Sequence, residues 1–264
     1  GFYGLMSGDH AVYPESIVPN YPYAESGVPP MQPEDEYPDQ TAIFAAMAAV
    51  TSKLLFTCGV YVLPLRNPHE VARASATLAI LSDNRFILGV GIGWMKEEFD
   101  IYGVDFHQRG KITDEIIEVL QSLWSGQMVE YHGAHFDFPR VQLSPAPSTH
   151  PPIYVGGSSE IALRRAARVG GGYIGAGTAP DDVGSLLHRL NELRQEYGRD
   201  HLPFEAMIGI SASPSLTLYQ RLADEGLEST VAPPFQYALG KKHSTVDEKK
   251  QFMETYAESI MRHF

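Results

Sequence analysis

An α/β fold of parallel strands alternating with helices is predicted by three features of this 264-residue chain. The first is the stretch Ser52–Trp94, which reads as strand, helix, strand over Leu54–Leu63, Pro68–Leu81 and Arg85–Gly91. Both strand segments are continuous apolar runs, the pattern of strands covered on both faces, and the amphipathic helix between them makes a βαβ unit. The second is the recurrence of that rhythm: seven strand-like segments, most followed by a helix. The third is a hydrophobic fraction of 44%, enough for a sizeable core, with a charged fraction of 20% that argues against disorder. Strict β/α alternation leaves two architectures open, a (β/α)₈ barrel and a doubly wound sheet. The barrel arithmetic closes if a first β/α unit lies upstream of Gly1, where the chain opens without a methionine.

Taken in order, Gly4–His10 reads as a short strand ending in a polar turn, followed by a long segment, 13–38, rich in Pro, Tyr, Glu and Asp. A loop of that length in a compact domain is usually functional or disordered. Asp39 is placed to cap a helix over Thr41–Val50. Asn67-Pro68 with Glu70 three residues after Asn67 has the pattern of a capping box with proline at the first helical position. Glu97 and Glu98 follow Trp94 and read as a dipole-favoured helix start rather than as catalytic carboxylates. Ile112, Ile116, Val119, Leu120 and Leu123 make the stripe of a helix over Lys111–Ser125, with Gly126 at its stop. Residues 127–143 read as a small hairpin insertion in an otherwise single domain spanning 1–264. Ile153–Val155 is a brief strand, Glu160–Val169 a helix ending at Gly170, and Gly172–Gly175 another strand. Asp181 is expected to cap a helix reaching Tyr197, and Phe204–Ser211, Ser215–Glu225, Leu227–Ala232 and Asp247–His263 continue as strand, helix, strand and helix.

Composition excludes several functions. A net charge of −12 without a Lys/Arg cluster excludes a nucleic-acid footprint. No apolar run reaches membrane-spanning length, and the single cysteine, Cys58, rules out an internal disulfide and fits a reducing, cytoplasmic setting. Cys58 itself reads as a buried strand residue. The ten histidines show no metal spacing, so no metal site is expected.

Four stretches carry candidate chemistry. Gly89-Val90-Gly91-Ile92-Gly93 lacks the third glycine of a dinucleotide fingerprint, since Lys96 stands in its place. It reads instead as a strand end that something flat approaches, with Trp94 beside it. Gly156-Gly157-Ser158-Ser159 joins a strand to a helix. Its free N–H groups, serine hydroxyls and helix dipole suit a phosphate, and equally an ordinary cap. The following strand also ends in small residues, Gly175-Ala176-Gly177-Thr178. Asp9-His10 closes the first strand, where an imidazole can act as acid or base near neutral pH, although a lone histidine is more often structural.

These motifs together resemble the bacterial luciferase-like flavin and deazaflavin oxidoreductases, closest to the branch of coenzyme F420-dependent oxidoreductases. The resemblance is carried by Gly1–Gly4, Gly8-Asp9-His10, Val62–Pro68, Arg85–Phe99, Gly103–Phe106 with Arg109-Gly110, and Pro151–Gly157. It implies a TIM-like (β/α)₈ barrel of which this chain lacks the first β/α unit, with the cofactor ring at the carboxyl ends of the strands. It further implies a non-proline cis peptide at Gly59-Val60 behind the ring, Asp9 and His10 near the reactive face, and a phosphate held by Gly156, Gly157 and Ser158. Gly91, Gly93, Trp94, Gly175 and Ala176 complete the expected cofactor surround. The implied activity is hydride transfer between F420 and an organic small-molecule substrate, with His10 as proton donor or acceptor. A monooxygenase using reduced FMN and O₂ is the alternative, and a non-catalytic flavin-binding barrel the second. Dimers are common in the family, and a homodimer is the expected assembly. The glutamate and lysine of the family's glucose-6-phosphate dehydrogenases are absent at Trp94 and near Thr178, which disfavours that substrate.

Overall fold

The computed structural model describes residues 1–24 and 26–264; Glu25, within the long 13–38 segment, lies outside the described residues. The chain forms two compact units, Gly4–Gly157 and Ser158–Phe264 with Gly1–Tyr3.

The 4–157 unit opens with β1 (Gly4–Ser7) and α1 (Gln40–Val50), the latter capped by Asp39, whose carboxylate accepts from the Ala42 N–H. The single strand expected over Leu54–Leu63 is interrupted. β2 (Leu55–Cys58) ends at a cis Gly59–Val60 peptide, β3 is only Tyr61–Val62, and a 3₁₀ turn covers Leu63–Leu65. The turn's three residues are all buried, so the apolar run continues through a segment that is no longer strand. Pro64 explains the change, because it has no N–H to give a sheet ladder and suits a first helical turn.

α2 (Pro68–Leu81) has the expected bounds. Asn67 accepts from the N–H groups of His69 and Glu70, but Glu70 turns outward to Arg73 at 2.5 Å instead of completing the capping box. β4 (Phe86–Gly91) is buried at every residue. It is followed by α3 (Lys96–Tyr102), α4 (Arg109–Trp124), the antiparallel hairpin β5 (Val129–His132) and β6 (Asp137–Val141), and β7 (Ile153–Gly156). β1, β2, β4 and β7 pair in parallel in that order, and β3 also pairs with β4. Parallel pairing points the carboxyl ends of β1, β2, β4 and β7 the same way, and that end carries Asp9, Gly59, Gly91 and Gly157.

The helices are locked to these strands by apolar packing and a few buried polar ties. Phe44 of α1 lies against Phe56 and Phe86, with ring centroids 5.6 and 6.3 Å away. Trp124, 1% exposed, donates its indole N–H to Ala72 O and Ser75 Oγ of α2. Arg85 bonds the carbonyls of Ala48, Thr51 and Leu54, supplying the donors that the end of α1 would otherwise lack.

The second unit contains α5 (Glu160–Val169), β8 (Gly172–Thr178), α6 (Val183–Glu196), β9 (Glu205–Ile210), α7 (Leu216–Asp224), β10 (Ser229–Val231), a short α8 (Phe235–Ala238) and α9 (Val246–Ser259). β8, β9 and β10 pair in parallel. Asp181 does not cap α6. Pro180 starts a 3₁₀ turn over Pro180–Asp182, the helix begins after it, and Asp181 pairs with Arg221 at 2.9 Å. α9 carries a complete capping box between Thr245 and Glu248, and Phe2 stacks on its Tyr256. Among the described residues, no helix is long and apolar enough to cross a membrane.

Candidate active site

The end of β1 places two neighbouring side chains in different surroundings. Asp9 accepts from the Val62 N–H at 2.9 Å and from Arg66 Nη2 at 2.8 and 2.9 Å, so both carboxylate oxygens are engaged. Arg66 follows the buried 3₁₀ turn and lies over the Tyr61 ring, 4.8 Å from its centroid. Burial by itself would lower the guanidinium pKa, but the charge and hydrogen bond of Asp9 raise it above the usual value. Burial pushes the Tyr61 phenol up to about 12, against the opposing influence of Arg66, and pushes the enclosed Cys58 thiol well up.

His10 points to a second carboxylate. Its Nδ1 lies 3.0 Å from Glu98 Oε2, and Glu98 Oε1 accepts from the N–H groups of Ala11 at 2.9 Å and Val12 at 3.4 Å. The imidazole meets the Tyr37 and Trp94 rings edge-on, at centroid distances of 5.3 and 5.9 Å, and Tyr21 stands 5.2 Å from Trp94. Part of the 13–38 segment therefore walls this histidine. A further tie joins Val18 N–H to Glu97 Oε1 at 2.9 Å.

Glu98 lies in the first turn of α3, as its reading as a helix-start residue expects, and is 1% exposed. The signal was present: Met95, Glu98, Phe99 and Tyr102 follow the spacing of one helical stripe, and Met95 and Phe99 are both buried. Phe99 packs with Val62 and Leu65, anchoring α3 and with it Glu98. The bend into α3 requires glycine at 93, where φ is +78° and a Cβ would sit 2.8 Å from both Phe99 and Val62. Arg109 donates to the Gly93 carbonyl at 3.2 Å and holds that bend.

Gly59 and Gly91 also make room for neighbouring side chains of the protein. A Cβ on Gly59 would run into the Met6 thioether, and one on Gly91 into Val60 Cγ2. Val60 thus sits across the end of β4 in the space Gly91 leaves. Asp9, His10, Gly59, Val60, Gly91, Gly93 and Trp94 all belong to the 4–157 unit, as do Gly156 and Gly157 at the end of β7. Gly157 has φ +118°, and the next residue, Ser158, is exposed. Capping of α5 falls to Ser159, whose hydroxyl accepts from the Ala162 N–H. Gly175 and Ala176 belong to the other unit: Gly175 makes room for Tyr173 and Ile208, whereas Ala176 is exposed. Among the described residues, no three His, Cys, Asp or Glu side chains converge as a metal set.

Comparison with known proteins gives this arrangement a context. The luciferase-like monooxygenase family matches residues 1–258. An uncharacterised protein of Mycobacterium tuberculosis is 34% identical over 262 residues, 99% of this chain and 90% of the relative. The pyrimidine monooxygenase RutA of Allorhizobium ampelinum is 28% identical over 77% of this chain and 59% of its own length. An F420-dependent hydroxymycolic acid dehydrogenase of M. tuberculosis is 33% identical over 57% of this chain and 42% of its own. Among solved structures, the F420-dependent tetrahydromethanopterin reductase of Methanopyrus kandleri superposes with a TM-score of 0.69 at 17% identity, covering 85% of this chain and 87% of that one. That likeness fixes the fold as the TIM-like barrel type and removes the doubly wound alternative.

Proposed function

Because the chain belongs to the luciferase-like monooxygenase family, an oxidoreductase family, we propose that it transfers a hydride between coenzyme F420 and an organic substrate. The observation that carries the reading is His10, held at its Nδ1 by Glu98 and walled by Tyr37 and Trp94, so that Nε2 is the atom left to meet a reactant. The likeness to the F420-dependent dehydrogenase supports the choice of cofactor.

The residues present fit such a group. Gly157, at the end of β7, brings no side chain, and the exposed Ser158 that follows offers a hydroxyl, residue types that suit a phosphate. F420 supplies the hydride chemistry when bound. The chain's own residues do the rest. Gly156, Gly157 and Ser158 would hold the phosphate, Val60 and Trp94 would orient the ring, and His10 would give or take a proton at Nε2 while Tyr37 and Trp94 keep water from it. Asp9 acts on this site indirectly, by tying the end of β1 to Val62 and Arg66. Titration of the purified protein with F420 and with FMN, followed by fluorescence, tests the reading. Saturable F420 binding is expected. Binding of FMN alone would replace the hydride-transfer reading with the O₂-using one.

A further inference from the structure

We propose that Glu98 is a positioning residue for His10: its carboxylate holds the imidazole in the Nδ1–H tautomer and so assigns Nε2 the proton exchange with substrate. The role of Nε2 rests on the function proposed above, whereas the tautomer rests on the geometry of this chain alone.

The argument is one of donors and acceptors. Glu98 is 1% exposed, so its oxygens have little recourse to water. Oε1 accepts from two backbone donors, the N–H groups of Ala11 and Val12. Oε2 is then an acceptor and faces Nδ1 at 3.0 Å. A bare Nδ1 lone pair there would confront an oxygen lone pair at hydrogen-bond distance, a repulsive contact in a buried place. An N–H at Nδ1 converts it to a charge-assisted hydrogen bond. In a neutral imidazole the proton on Nδ1 leaves Nε2 bare.

The supporting structure makes this a held geometry rather than a chance approach. The ring is flanked edge-on by Tyr37 and Trp94, which restrict its rotation. Glu98 in turn is held by α3, through Phe99 at 0% exposure and the Arg109-bound turn at Gly93. Ala11 and Val12 directly follow His10, so the same carboxylate fixes both the ring and the backbone that presents it.

The test is the ¹⁵N spectrum of histidine-labelled protein without added ligand, at a pH where His10 is neutral, with its signals assigned by their loss in His10→Gln. In the wild type, Nδ1 is expected to be protonated and Nε2 bare. In Glu98→Gln the amide oxygen keeps the Ala11 and Val12 N–H groups and the amide N–H faces Nδ1, so the preference shifts toward the Nε2–H tautomer. Glu97→Gln, one residue away and bonded only to Val18, leaves it unchanged. A wild-type Nε2–H tautomer, or a Glu98→Gln spectrum like that of the wild type, overturns the proposal. Should Glu98→Gln fail to fold, the wild-type spectrum decides by itself. With cofactor bound, Glu98→Gln should lower kcat by about 10- to 100-fold, part of what general acid–base catalysis supplies, at unchanged cofactor affinity. An unchanged kcat overturns the positioning role. If neither F420 nor FMN binds, the function proposed above fails while the spectrum still judges the tautomer.

Discussion

Asp9 and His10 are neighbours at the end of one strand, and the protein treats them in opposite ways. Asp9 is saturated: a backbone N–H and a guanidinium occupy both of its oxygens, and its partner Arg66 is seated on Tyr61. Among the described residues, His10 is held at one nitrogen, by a carboxylate that arrives from α3, 88 residues along the chain. A fully paired ion is suited to fixing a strand end, because any change of partner leaves a buried charge exposed to a low dielectric. A ring held on one side keeps a second nitrogen for chemistry. Adjacent positions in the chain thus differ in how far their polar atoms are engaged.

This contrast can be broken by experiment. His10→Ala should reduce turnover by about 10²- to 10⁴-fold, the usual worth of a general acid or base. Unchanged turnover would remove His10 from the mechanism. Asp9→Ala should instead show in stability, because it leaves Arg66 without its counter-charge; a loss of about 3 kcal/mol is expected in urea unfolding. An Asp9→Ala protein of wild-type stability but no turnover would erase the distinction between the two residues. Gly91→Ala forces a Cβ onto Val60 at the neighbouring strand end, an overpacking worth about 1–3 kcal/mol that a second change, Val60→Ala, should relieve.

The smallest effect concerns Tyr61, beside Arg66. Its phenol is pushed up to about 12 in the folded protein, above the ordinary value. The folded state therefore holds the proton more tightly than the unfolded one. That contribution to stability is complete below about pH 10, the unperturbed value, and is lost as the pH rises toward the folded value. Ultraviolet titration should show several phenols ionising late, those of Tyr131 and Tyr256 among them, and Tyr61→Phe should remove one phenol from that late step.

The elements most legible in the sequence were those with local punctuation. α2 begins where Asn67-Pro68 announces it, and α5 spans the expected Glu160–Val169. One apolar run was not a single strand: Leu54–Leu63 breaks into β2, the Gly59–Val60 turn and β3. Burial continues through Leu63–Leu65 whatever the backbone does, so hydrophobicity by itself carries no mark of the break. At the candidate site, His10 was visible as a polar residue at a strand end. Glu98 was not, because two adjacent glutamates in a first helical turn are explained equally well by the dipole.

The sequence by itself determined the order of strands and helices, through period, caps and apolar runs, which are interactions between residues close in the chain. It also determined the family, through motifs spread from Gly1 to Gly157. Only the tertiary structure decided which carboxylate serves which partner. Asp9 finds Arg66 across 57 positions and Glu98 finds His10 across 88, because parallel pairing of β1, β2 and β4 brings their carboxyl ends together. Contacts made through strand pairing depend on register and on the bend at Gly93. Neither is encoded in the spacing of the residues that meet.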